Sequence, residues 1–172
     1  MKKMFLSLLM IIMAGMMTAQ AQKFALIDME FILKQIPSYE QANKQMETLS
    51  KQWQTEIEAK SKEAKALYES YQKSAQAMNA EQRTAKEEEI IAKEKEAAEL
   101  RQTYFGPQGE AMKKRQELIS PIQDAIYNAV KEIATQKGYD AVIDRASAQS
   151  MIFASPRIDI SNEVLLKLGY SK

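Results

Sequence analysis

The apolar positions of this chain change period along its length. Phe24-Ala25-Leu26-Ile27 is a short apolar run between polar residues and predicts a strand buried on both faces. Ile36-Pro37-Ser38 closes one element and opens another, with Ser38 as the expected helix cap and Gln41 completing a capping box. From Tyr39 to Met78 larger or small-apolar residues recur at steps of three and four, with one skipped position at Lys60. That spacing predicts a long helix with one narrow apolar stripe, too narrow for a globular core and suited to pairing with another helix. Asn79, with Gln82 three residues on, predicts a turn and a freshly capped second helix. Ile90, Ile91, Ala97, Ala98, Leu100, Tyr104 and Phe105 are the apolar members of that helix.

Gly106-Pro107-Gln108-Gly109 then interrupts the helical pattern, which resumes near Glu110. Pro121 suggests a second start or kink. Ile122, Ile126, Ala129, Val130 and Ile133 form a wider stripe that calls for a real core, and Lys137-Gly138 should end the helix. Beyond it, 139–144 alternates and Met151-Ile152-Phe153-Ala154 is a second short apolar run, so a β-hairpin turning at 145–150 is expected. Ile158 and Ile160 suggest one more strand, and Ser161 the cap of a last helix ending at Gly169.

The two long helical stretches have nearly equal lengths. They predict an antiparallel αα-hairpin over 37–120 with its tip near Asn79, rooted in a body made from 22–36 and 121–172. The fold class is therefore α+β, mostly α. So small a body buries little apolar area alone, and oligomerisation is the expected remedy. Phe24, Leu26, Ile27, Val142, Ile143, Ile152, Phe153, Ile158 and Ile160 are the residues expected to lose exposure only on assembly. Residues opposed across the hairpin should have numbers summing to about 156–159, which places Gly106 opposite Ser50 to Trp53. Gly106, Pro107 and Gly109 then read either as a joint in the arm or as a fixed bend that accommodates Trp53.

Composition narrows the function. Lys2-Lys3, the apolar run from Met4 to Met17 and Ala19-Gln20-Ala21 read as a secretory signal cleaved after Ala21, placing the mature chain outside the cytoplasm. The leader holds two of the 24 basic residues and none of the 23 acidic ones, so the net charge falls from +1 to −1 on cleavage. That balance calls for neither nucleic acid nor an anionic membrane. The chain has no Cys and no His, which removes disulfides, the commonest general base and the commonest zinc ligand. No enzyme activity, metal or cofactor is expected.

"ELISPIQDAIYNAVKEIATQKGYDAVIDRAS" followed by "DISNEVLLKL", behind a charged arm, resembles the Skp (OmpH) family of periplasmic chaperones. The resemblance implies a homotrimer in which strands of three chains form a β-barrel. Three arms would enclose a cavity that holds unfolded outer-membrane β-barrel proteins without ATP. The near-neutral mature chain departs from the basic character of well-known members, so no lipopolysaccharide site is carried over. Met46, Trp53, Tyr68, Tyr71, Met78, Tyr104, Phe105 and Met112 are the candidate client contacts, since soft and aromatic groups suit varied clients. A structural spacer bridging envelope components is the alternative, and it would keep a dry, regular seam.

Overall fold

The computed structural model describes residues 22–148 and 150–170. The expected signal segment, 1–21, lies outside them. Strand β1 (Phe24–Ile27) pairs in parallel with β2 (Ala141–Asp144), in a register that sets Phe24 beside Ala141 and Ile27 beside Asp144. The two ends of the chain thus meet in one small sheet, as a parallel pair that needs the whole arm as its crossover. On the other side of β1, Ile160 N–H donates to Leu26 O at 2.8 Å, and Leu26 bridges Asp159.

A short helix that the sequence pattern did not separate, α1 (Met29–Lys34), follows β1. Its cap is Asp28, whose carboxylate accepts from Phe31 N–H at 2.8 Å. Helix α2 (Pro37–Ser74) then runs for 38 residues, about 57 Å at 1.5 Å per residue. It starts two residues earlier than expected: Ile36 is the N-cap residue, Pro37 opens the helix, and Ser38 caps nothing. The reason is local. A residue before proline is held extended, and proline at the first helical position loses no hydrogen bond. Ile36 at φ −95°, ψ 112° is already outside the helix, so Ser38 is within it.

After a 3-10 turn at Ala75–Ala77, Asn79 caps α3 (Ala80–Phe105) in a reciprocal box with Gln82, as expected. Helix α4 (Glu110–Lys137) follows the break and ends on Gly138 at φ 66°, the left-handed geometry expected of a glycine C-cap. Pro121 neither starts nor ends a helix; α4 runs through it. Ile119 and Ile126 are buried on either side, and that packing offsets the one hydrogen bond proline cannot donate.

The C-terminal part departs most from expectation. Residues 151–154 are not a strand, and no hairpin forms with β2. Asp144 instead starts a tight turn, accepting from Ala146 N–H at 3.0 Å, and the loop crosses to the far side of β1. Pro156–Ile158 is a 3-10 turn rather than a strand. The last helix, α5 (Ser161–Lys167), begins at Ser161 itself. The Ser161 hydroxyl oxygen accepts from Asp28 N–H at 2.8 Å and so ties the two chain ends together.

The body has its own core, built from Ala25, Ile27, Ile32, Leu33, Ile36, Ile126, Ala129, Ile133, Ile160, Val164 and Leu165. This corrects the expectation for three assembly residues. Ile27 and Ile160 are already buried within one chain among residues of α1, α4 and α5, and Leu26, outside that cluster, is buried too. Phe24, Ile143, Ile152 and Phe153 remain exposed, and Val142 and Ile158 are half-buried.

Candidate functional site

The arm is a paired helix with a seam and two unlike flanks. Ile57 and Ala64 of α2 and Ile90 and Ala97 of α3 are buried in the seam. The skipped position, Lys60, has a partner there. Its ammonium lies 3.5 Å from Glu96, while Lys93 reaches Glu96 at 3.0 Å and Glu63 at 3.8 Å. Two lysines and two glutamates from both helices thus form a charged layer along one edge of the seam. Their side chains are about a third to a half exposed, so the layer adds little stability, but it fixes which residues face each other. The carboxyl of Glu96 is held below its usual range, first by the Lys93 hydrogen bond and against that by burial.

Nearer the body the seam becomes aromatic. Trp53 stacks on Tyr104 with ring centroids 5.2 Å apart and 13° between planes, and meets Phe105 edge-on at 6.0 Å. Tyr104 O–H donates to Glu56 at 2.7 Å, and Tyr71 O–H to Glu87 nearer the tip. Both phenols are raised in pKa, mainly by donating to a carboxylate.

The break follows directly. Gly106 N–H still donates to Gln102 O at 2.9 Å, then the chain turns and Gly109 N–H donates to Gly106 O at 2.9 Å. A Cβ on Gly106 would lie 2.3 Å from Gln102 O, and one on Gly109 2.7 Å from Tyr104 O. The glycines are therefore required by the carbonyls of their own preceding turn. The atoms nearest those added Cβ positions belong to Gln102, Thr103 and Tyr104, while Trp53 stacks on Tyr104 and meets Phe105 edge-on just before the break.

Of the eight candidate contacts, Met46, Trp53, Tyr71, Met78 and Tyr104 are half-buried. Tyr68, Phe105 and Met112 are exposed at 49%, 44% and 57%. Ile91, one of the apolar members of the second helix, is 61% exposed. Of two adjacent isoleucines on a helix, only one can face the partner, and here it is Ile90. Beside Tyr68, a groove of about 340 Å³ runs between the helices, lined by Ser61, Ala64, Lys65 and Tyr68 from α2 and Glu94, Ala97, Ala98 and Arg101 from α3.

At the body, a polar knot holds the ends of the 145–160 loop. The Arg145 guanidinium donates to Asp28 at 2.9 Å and pairs with Asp159 at 3.3 Å. Asp144 accepts from Met29 N–H at 3.1 Å. The Phe31 N–H, and then Arg145, hold the Asp28 carboxyl below its ordinary range. Between these anchors the loop displays Ile152 and Phe153 to solvent. Among the described residues no cluster of side chains could hold a metal, and no helix is long and apolar enough to cross a membrane.

The architecture and the sequence have clear relatives. The family described as "Outer membrane protein (OmpH-like)" matches residues 23–168. A protein named Chaperone protein Skp from Yersinia enterocolitica is 30% identical over 155 residues, covering 89% of this chain and 90% of its own. A protein of the same name from Photorhabdus laumondii is 30% identical over 146 residues, covering 84% of each. The solved structure of an OmpH-like protein from Caulobacter crescentus superposes with a TM-score of 0.65 at 12% identity, covering 86% of this chain and 84% of that one. The chain, a small two-stranded body bearing a long helical hairpin, belongs to the Skp (OmpH-like) family.

Proposed function

We propose that this protein is a periplasmic chaperone that holds unfolded outer-membrane β-barrel proteins, without ATP, in a cavity between three arms. The observation that carries the reading is the family match over residues 23–168, which spans body and arm together. Arm chemistry supports it. Exposed Tyr68, Ile91 and Met112 lie off the seam, and Phe105 at its edge is still 44% exposed, where a pure spacer has no use for apolar groups. The spacer reading keeps one observation in its favour, the buried apolar seam, but a holdase arm needs that seam too.

The homotrimer belongs to this proposal. Ile143 of strand β2, Phe24, and the Ile152-Phe153 loop are among the apolar groups of the body that a single chain leaves exposed. In the trimer they are covered by neighbouring copies, and the sheet continues from chain to chain. The interruption at Gly106, Pro107 and Gly109 serves as a joint: α3 and α4 are separate rods there, while α2 runs unbroken beside them. Residues 1–21 direct export and are removed.

The test is suppression of aggregation. A urea-unfolded outer-membrane β-barrel protein is diluted into buffer with the mature chain, with and without ATP. Equal suppression in both supports the proposal. No suppression at a several-fold excess, with the chain itself folded, refutes it.

A further inference from the structure

The arm has one apolar flank and one charged flank, and the apolar one is built on a regular repeat. Ile91, Ala98, Phe105 and Met112 follow each other at seven-residue steps, and all four are exposed. Within α3 such steps lie nearly on a line along the helix, and Ile91 to Phe105 spans about 21 Å at 1.5 Å per residue. Tyr68 of α2 stands beside this line, across the groove that it shares with Ala98 and Arg101. Glu96 lies about 140° around α3 from Ile91 at 3.6 residues per turn. The charged layer of Lys60, Glu63, Lys93 and Glu96 therefore occupies the other flank, where its charges satisfy one another.

An apolar repeat of seven commonly means a partner helix. Here the positions three residues on are Glu94 and Arg101, both charged, where a coiled-coil partner needs apolar residues. A helix also satisfies its own backbone and has no use for the groove's polar rim. An extended, unfolded chain has both needs. Its apolar side chains seek the exposed line, and its free N–H and C=O groups seek acceptors and donors such as Glu94, Lys65 and Arg101. We infer that the Tyr68–Ile91–Ala98–Phe105 flank is the surface of the arm that touches client, and that it takes extended apolar stretches of an unfolded polypeptide. The inference deepens the chaperone proposal and rests on it. It also assigns Ile91 and Ala98, which no consideration of the seam selected.

The experiment places p-benzoylphenylalanine at position 91, 98 or 89 of the full mature protein and irradiates each with a urea-unfolded outer-membrane β-barrel protein. Position 89 lies on the charged flank, about 160° from Ile91 at 3.6 residues per turn. Crosslinking from 91 and 98 at several times the yield from 89 is expected. In parallel, the Tyr68→Ser/Ile91→Ser variant should bind the same client about tenfold more weakly, the scale of losing two apolar contacts at a binding surface. Its helical circular dichroism should be unchanged. Equal crosslinking from all three positions, or unchanged affinity in the double variant, overturns the sidedness while leaving the chaperone reading intact. Failure of the unaltered protein to bind the client at all overturns both.

Discussion

Asp28 shows how much a single side chain can do at the junction of body and arm. It caps α1, takes the Arg145 guanidinium, and its own N–H donates to Ser161. Its carboxyl titrates below the ordinary aspartate value of 3.8, first because Phe31 N–H bonds the charged form and then because Arg145 does. A lowered folded pKa contributes stability that is present above the unfolded pKa and is lost as pH falls through the folded one. Asp28→Ala should therefore cost about 1–2 kcal/mol at neutral pH, the usual size of a lost cap and a charged hydrogen bond. Denaturant midpoints should show that cost shrinking as the pH drops below about 4, where the unfolded carboxylate takes up its proton while the native one still resists protonation, until the pH passes below the lowered native value. Gly138→Ala should cost about 1 kcal/mol by the same measurement, since φ 66° strains any side chain. Gly138 was legible from sequence, as a glycine after Lys137 at the end of an apolar stripe. Ser38 misled, because proline beside it outweighed its capping chemistry.

At the scale of elements, the hairpin was legible because its signals agree: a stripe of period near 3.6, equal lengths on both sides, and a capping box at the turn. The contacts keep the expected pairing, with Trp53 against Tyr104 and Phe105 and Lys60 against Glu96. The apolar run at Met151–Ala154 reads as half of a β-hairpin with β2, but a short apolar run alone does not tell a strand from an exposed loop, and β2's outer edge stays unpaired among the described residues. β1's far side is taken by Asp159 and Ile160, which a pattern read locally cannot show. The same holds for the split between Ile90 and Ile91, which only packing decides. The break gives an element-level prediction. Gly109→Ala puts a Cβ 2.7 Å from Tyr104 O, and overpacking of this kind costs ~1–3 kcal/mol. The melting temperature should drop. Changing Gly106, Pro107 and Gly109 together to Ala lets the segment become regular helix and should recover stability while stiffening the arm. Capacity for large clients should then fall while small ones bind as before, measured across a client-size series.

For the whole molecule, the question is what covers the apolar groups that one chain leaves in water. Ile152 is 101% exposed and Phe153 83%, and neither belongs to the chain's own core. Replacing both with Asp should leave the body folded but bring charge into any interface they form, at a cost of several kcal/mol. Sedimentation should then show single chains with undiminished helical content. Client affinity should change little with salt, since the mature chain is nearly neutral and the proposed contact surface is apolar. The Debye length shrinks from ~10 Å at 0.1 M to ~3 Å at 1 M salt, so a loss of three orders of magnitude over that range would point to charge instead. The most direct measurement is size-exclusion chromatography with light scattering on the mature protein, alone and with an unfolded outer-membrane β-barrel protein. The expected result is a mass of three chains alone and of three chains plus client in the mixture. A folded single chain in both runs, with the client lost to aggregation, would contradict the trimeric chaperone.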